Sequence, residues 1–196
     1  MWIDLTLQIP ADHPARGALN DTHQELLRSG RVGTHLDVHL GFTIPFDYVV
    51  SRGLLADVGA IEGRDVGLED LDRPSIQLGD FVIFCTHRVD RLGYGTQAYA
   101  DDGIQLSHAV IDYLIEKRIH FVGIDAVGIR NGPEHTPADK RCEAGGVYVV
   151  ENLANVPALQ GKLLARNVES FIVFAMWIVV EGSGLPCRVI ARLPES

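Results

Sequence analysis

Apolar residues along this chain fall into two kinds of run, and the change from one to the other predicts an alternation of strands and helices. Between Asp80 and Thr86 the residues Phe81-Val82-Ile83-Phe84-Cys85 are continuously apolar, the pattern of a strand buried on both faces. Phe121 to Ile124 repeats the pattern and ends at Asp125. Between these two runs, Ser107 is placed to cap a helix reaching Lys117, with Leu114 and Ile115 among its apolar positions. Strand, helix, strand predicts a parallel pair. Gly146 to Glu151 and Phe171 to Val180 predict two more strands, and Pro186 to Leu193 pairs with the second as an antiparallel hairpin through Glu181-Gly182-Ser183-Gly184. Asp21 before Thr22 to Ser29, closed by Gly30, reads as a short capped helix in an N-terminal arm around residues 10–30. The expected fold is α/β, one compact domain over residues 1–196 with a mixed sheet and a few helices.

The segment Gly33-Thr34-His35-Leu36-Asp37-Val38-His39 adds chemistry to this outline. If it is extended, His35, Asp37 and His39 share one face while Leu36, Val38 and Leu40 point into the core. Imidazole and carboxylate are ligand types that zinc and manganese accept, and a strand holds them more rigidly than a loop. A polar strand face that only makes hydrogen bonds is the alternative.

Composition narrows the choice of partner. The chain has 196 residues, 46% hydrophobic and 22% charged, with a formal net charge of −9, which suits one folded domain and disfavours a nucleic-acid partner. Cys85, Cys142 and Cys187 lack metal-cage or disulfide spacing, and Cys85 reads as a buried small hydrophobe. The longest apolar run, Phe171 to Val180, is too short to cross a bilayer, and the N-terminus shows no basic region followed by a long apolar stretch, so a cytoplasmic, non-membrane protein is expected. Gly93-Tyr94-Gly95-Thr96 lacks the context and the Lys of a phosphate-binding loop, which argues against nucleotide binding.

Three further polar residues need an explanation. Glu151 ends a buried strand, where a carboxylate must be paired, for example with Arg130, or bind a cation. Thr136, Pro137 and Asp139 fit a capping box, which would use Asp139 structurally, yet a helix start there would also bring His135 and Asp139 together. His135 is open to three readings: ligand, proton shuttle or surface residue. His87, His108 and His120 lie at element ends without a partner that spacing identifies.

The chain resembles the cyclase family of metal-dependent hydrolases that includes bacterial kynurenine formamidase and isatin hydrolase. The resemblance runs through Ile3-Asp4-Leu5-Thr6, Gly33-Thr34-His35-Leu36-Asp37, Gly79-Asp80, Val122-Gly123-Ile124-Asp125-Ala126, Glu151-Asn152-Leu153 and Arg188-Val189-Ile190-Ala191. It implies a partly barrel-like sheet of the swivelling β/β/α type, a homodimer or higher homo-oligomer, and one or two Zn2+ or Mn2+ ions held by His35, Asp37 and Glu151. The family signature HisXGlyThrHisXAspXProXHis is broken here by Arg31, His39 and Gly41, and Asp139 stands where another ligand His is expected. Asp139 is itself a suitable ligand, so the expected metal set is His35, Asp37, Asp139 and Glu151. Arg31 would repel a second metal and could bind a substrate carboxylate, leaving His39 and His135 to move protons.

The implied activity is metal-dependent hydrolysis of a small-molecule amide or formamide, with an arylformamidase acting on N-formylkynurenine as the first expectation. The alternatives are a catalytically impaired protein that binds or senses a small carboxylate, and a lactone or lactam hydrolase or dehydratase using the same metal.

Overall fold

The structure is a computed structural model that describes residues 1–10, 13, 29–41, 43–71, 75–101 and 103–195. Its strands are β1 (Trp2–Asp4), β2 (His35–Asp37), β3 (Val50–Asp57), β4 (Phe81–Cys85), β5 (Phe121–Ile124), β6 (Tyr148–Glu151), β7 (Phe171–Trp177) and β8 (Gly184–Arg192). The helices are α1 (Arg88–Leu92), α2 (Gln97–Asp101), α3 (His108–Lys117), α4 (His135–Ala144) and α5 (Val156–Arg166). The helix expected over Thr22 to Ser29 and most of the arm around 10–30 lie outside the described residues.

β3, β4, β5 and β6 run parallel, and β4 and β5 carry the continuous apolar runs. The remaining pairings are antiparallel, and the order β8-β2-β6-β5-β4-β3-β7 closes through β7 and β8 into a seven-stranded barrel. β1 continues the line of β2 along the same edge of β8, pairing Trp2 with Arg192, while β2 pairs His35 with Pro186. Alternation along the strands divides the core. Phe81, Ile83, Phe121, Val150, Val173 and Val189 pack with Leu159 and Leu163 of α5. Val82, Phe84, Val122, Ile124 and Val149 pack with α3 through Val110, Ile111 and Leu114, and with α4 through Ala138 and Cys142. Both faces of β4 and β5 are thus covered, as their apolar runs require.

Ser107 caps α3, its Oγ accepting from the Val110 N–H at 3.3 Å. The carboxylate of Asp125, at the end of β5, accepts from the N–H and hydroxyl of Thr86, each at 2.6 Å, and from the His87 N–H at 2.9 Å. It therefore ties the loop after β4 to β5. Asp80 is held by a two-point contact from Arg52, 2.8 and 2.7 Å, which fastens β3 to the start of β4.

Two expectations fail. Leu36 and Val38 are buried, but Leu40 is 42% exposed. β2 stops at Asp37 because the N–H groups of His39 and Leu40 turn onto the Glu143 carboxylate at 2.6 and 2.9 Å instead of a neighbouring strand. The capping box at Thr136 also fails: a 3-10 turn over Gly132–Glu134 leads into α4 at His135, so Pro137 and Asp139 lie inside the helix. The three cysteines are free and buried. Among the described residues, no helix is long and apolar enough to cross a membrane.

Candidate metal centre

The centre forms where β2, β6 and α4 meet. His35 and Asp37 are two residues apart on β2 and share a face, and His35 is the register partner of Glu151 on β6. His135 and Asp139 are one turn apart on α4, with His135 Nε2 3.3 Å from Asp139 Oδ2. The same nitrogen lies 3.3 Å from Glu151 Oε1. His35 Nε2 lies 3.5 Å from Glu151 Oε2 and 3.8 Å from Asp37 Oδ1. One ligand-type atom from each of Asp37, His135, Asp139 and Glu151 falls within 4.8 Å of the other three. The seven residues singled out by sequence therefore converge: His39 Nε2 is 3.5 Å from Asp139 Oδ2, and Arg31 Nη2 is 3.1 Å from Asp37 Oδ1.

His135 is not a surface residue, its side chain being 18% exposed. Arg130 does not pair with Glu151 either, since its guanidinium is taken by Asp65 and Glu134.

Polarity shows what this arrangement lacks. Apart from the Arg31 ion-pair contact to Asp37 Oδ1, the carboxylate oxygens of Asp37 and Asp139, with Glu151 Oε1 and His35 Nε2, are buried without a hydrogen-bond partner, as is the Arg31 Nε–H donor. Buried polar atoms are nearly always satisfied, and unpaired carboxylates are the most expensive to leave so. Burial, reinforced by the Asp37 and Asp139 charges, pushes the Glu151 carboxyl well above its ordinary range. Burial likewise raises Asp139 and lowers His35. These residues fit a divalent cation: acceptors and lone pairs face one another, and a positive ion among them would satisfy the orphaned atoms together.

The orientation of His35 is fixed from behind. Its Nδ1–H donates to the Gly33 carbonyl at 2.8 Å, which directs the Nε2 lone pair toward the carboxylates. Gly33, at φ +72°, adopts a conformation natural to glycine, and its N–H donates to the Tyr94 hydroxyl at 2.9 Å. Asn152 reinforces the same point. Its amide donates to the Gly33 carbonyl at 3.1 Å, its side-chain oxygen accepts from Tyr99 at 2.5 Å, and its own carbonyl accepts from Thr34 at 2.7 Å. Gly128 closes another side: a Cβ there would lie 2.7 Å from His135 Cε1 and 2.9 Å from Glu151 Oε1.

Asn152, Tyr99, Gly128 and Glu143 are parts of the site that the sequence does not identify. Only Asn152 carried a signal, its place immediately after Glu151. The sequence offers Trp2, Phe42, Phe46 and Tyr94 as aromatics to line a substrate pocket; Tyr94 lies in this network, whereas Trp2 and Phe46 are 59% and 88% exposed. Phe42 lies outside the described residues.

The model of the Cyclase family, described as "Putative cyclase", matches residues 3–130, and the chain belongs to that family. No curated protein sequence matches the chain. Among solved structures it is similar to "The Structure Of Potential Metal-Dependent Hydrolase With Cyclase Activity", at TM-score 0.72 and 25% identity over 99% of both chains. It is also similar to isatin hydrolase A from Labrenzia aggregata bound to benzyl benzoate, at TM-score 0.73 and 19% identity over 100% of this chain and 94% of that one. A predicted metal-dependent hydrolase from Bacillus stearothermophilus aligns at TM-score 0.64 and 23% identity over 97% of each chain.

Proposed function

We propose that the protein is a metal-dependent hydrolase of a carbonyl–nitrogen bond in a small molecule, an aryl formamide such as N-formylkynurenine or a lactam. The observation that carries this reading is the convergence of three buried carboxylates and two imidazoles with orphaned acceptor atoms. The solved relatives described as metal-dependent hydrolases and as isatin hydrolase support it. His35, Asp37, His135, Asp139 and Glu151 would hold one divalent ion. Their carboxylate-rich character suits Mn2+, with Zn2+ next. A bound cation of this kind supplies Lewis acidity, polarising a carbonyl and bringing the pKa of water toward neutrality.

His135 faces two carboxylates, so the ligand role suits it better than proton transfer. His39 is then the residue to take a proton from water and pass it to the leaving nitrogen, once the Arg31 contact to its ring nitrogen opens. Arg31 has two tasks. Its Nη2 donates to a ring nitrogen of His39 at 2.9 Å and sits against Asp37, placing a fixed positive charge where a second ion would otherwise be held. With its side chain 20% exposed, it can also bind the carboxylate of an incoming substrate.

Turnover of a panel of aryl formamides, lactams and lactones by Mn2+- or Zn2+-loaded protein tests the reading. Hydrolysis that disappears with Asp37→Asn supports it, and hydrolysis confined to lactones moves the bond broken from C–N to C–O. A second reading, a binding protein for small carboxylates, rests on the part of the Arg31 guanidinium that remains exposed beside its contact to Asp37. Binding of such acids without turnover of any panel member would select it.

A further inference from the structure

A second group of ligand-type side chains lies at the carboxyl ends of the parallel strands β3 and β4. Asp57 ends β3, Cys85 ends β4, and the two are register partners. His87 follows two residues after Cys85, and one ligand-type atom from each of the three falls within 4.8 Å of the others. His87 Nε2 is 3.3 Å from Asp57 Oδ1. Gln160 of α5 spans the group, its amide donating to Asp57 Oδ2 at 2.5 Å while the Cys85 thiol faces its Oε1 at 3.8 Å.

A plain hydrogen bond between His87 and Asp57, beside a cysteine filling the core, accounts for part of this. It does not account for how firmly His87 is held. That residue has φ 64°, a conformation β-carbon residues seldom adopt, and the Asp125 carboxylate grips its N–H. Its ring lies against Gly59, where a Cβ would approach His87 Cδ2 to 2.2 Å. The imidazole is thereby pinned beside one thiol and one carboxylate. Thiolate, imidazole and carboxylate are the three ligand types zinc takes, and its bonds of about 2.0–2.3 Å place tetrahedral ligand atoms roughly 3.3–3.8 Å apart. A small inward movement closes the observed spacing to that range. Access exists, since the side chains of His87 and Asp57 are 30% and 48% exposed and a cleft of about 320 Å³ reaches Asp57 and Gln160.

The geometry points to a second metal site, separate from the carboxylate centre, in which Asp57, Cys85 and His87 take one zinc-type divalent cation and leave the fourth position open to solvent. As the Cys85 sulfur bonds the cation, its proton passes to solvent and its contact with Gln160 is given up. The inference does not depend on the hydrolase reading.

Cobalt(II) is the probe, because a thiolate bound to it gives a near-ultraviolet charge-transfer band that carboxylate and imidazole ligands do not. Chelator-treated full-length protein is titrated with cobalt(II). The band is expected to saturate near one equivalent in Asp37→Asn, where the carboxylate centre no longer competes for cobalt, to saturate by about two equivalents in the native sequence, and to vanish in Cys85→Ser. In Asp57→Asn, which alters a half-exposed side chain and leaves the thiol in place, affinity read from the band is expected to fall at least ~10-fold. No band in the native protein, or a band unchanged in Cys85→Ser or in Asp57→Asn, overturns the inference.

Discussion

His35 stands directly opposite Glu151 across the antiparallel pairing of β2 and β6, with its Nε2 3.5 Å from the Glu151 carboxylate. The imidazole presents a lone pair and the carboxylate an anion, because Nδ1–H is already committed to Gly33. Two acceptors set against each other in a buried site imply that something positive belongs between them. That requirement has measurable consequences.

Stability without metal should depend on pH in a definite direction. Burial raises the Glu151 carboxyl, so this group favours the fold at pH values below its ordinary range and the benefit is lost as pH rises through its raised folded value. Asp139 acts in the same sense. Burial of the His35 imidazole acts in the opposite sense, its cost being relieved as pH rises toward the usual imidazole range. The carboxyl contribution to the Tm of chelator-treated protein is expected to fall as pH rises through and above the usual carboxylate range, and Glu151→Gln to flatten that fall. At neutral pH the metal-free variant should be more thermostable, by about 2–4 °C for each kcal/mol of charge burial relieved, while binding metal more weakly. Differential scanning fluorimetry across pH, with and without Mn2+, checks both signs.

Gly128→Ala places a methyl group where His135 and Glu151 now sit. The two side chains must move, and metal affinity is expected to drop about 10- to 100-fold, as when a supporting residue behind a ligand is altered. Calorimetric titration with Mn2+ measures it. An unchanged affinity would remove His135 and Glu151 from the ligand set.

Asn152→Ala removes the amide that fixes the Gly33 carbonyl and leaves Tyr99 without its acceptor. The expected loss is on the order of 1–3 kcal/mol in urea unfolding, together with weaker metal binding because His35 loses its brace. Stability lost with affinity intact would show that the brace does not reach the metal.

His39→Ala should lower kcat about 100-fold or more while metal content stays near the native level, if this imidazole moves the proton. Arg31→Ala should instead raise KM more for carboxylate-bearing amides than for neutral ones, while any change in kcat from its lost contacts to His39 and Asp37 falls on both alike. Equal effects on both substrate types would deny Arg31 a part in recognition.

Local pattern made much of this molecule readable. Continuous apolar runs marked β4 and β5, Ser107 marked the start of α3, and turn residues marked the hairpin of β7 and β8, because each is set by neighbours in sequence. The period-two spacing of His35 and Asp37 placed both on the ligand face. Contacts between distant segments were not readable. β2 ends where it does because Glu143, over a hundred residues away, takes the N–H groups of His39 and Leu40. Thr136-Pro137-Ala138-Asp139 reads as a helix start, but a preceding 3-10 turn moves the start to His135 and turns Asp139 toward the ligands. Asn152 acts through a left-handed backbone at φ 57° and through Gly33, neither of which its sequence neighbours display.

The most direct test is bound metal per chain, measured by inductively coupled plasma mass spectrometry on tag-free protein purified without chelators. A Cys85→Ser background restricts the count to the carboxylate centre. The account predicts about one divalent ion per chain there, lost on adding Asp37→Asn. No ion in the Cys85→Ser protein under metal-replete growth, or the same ion retained with Asp37→Asn, would contradict it.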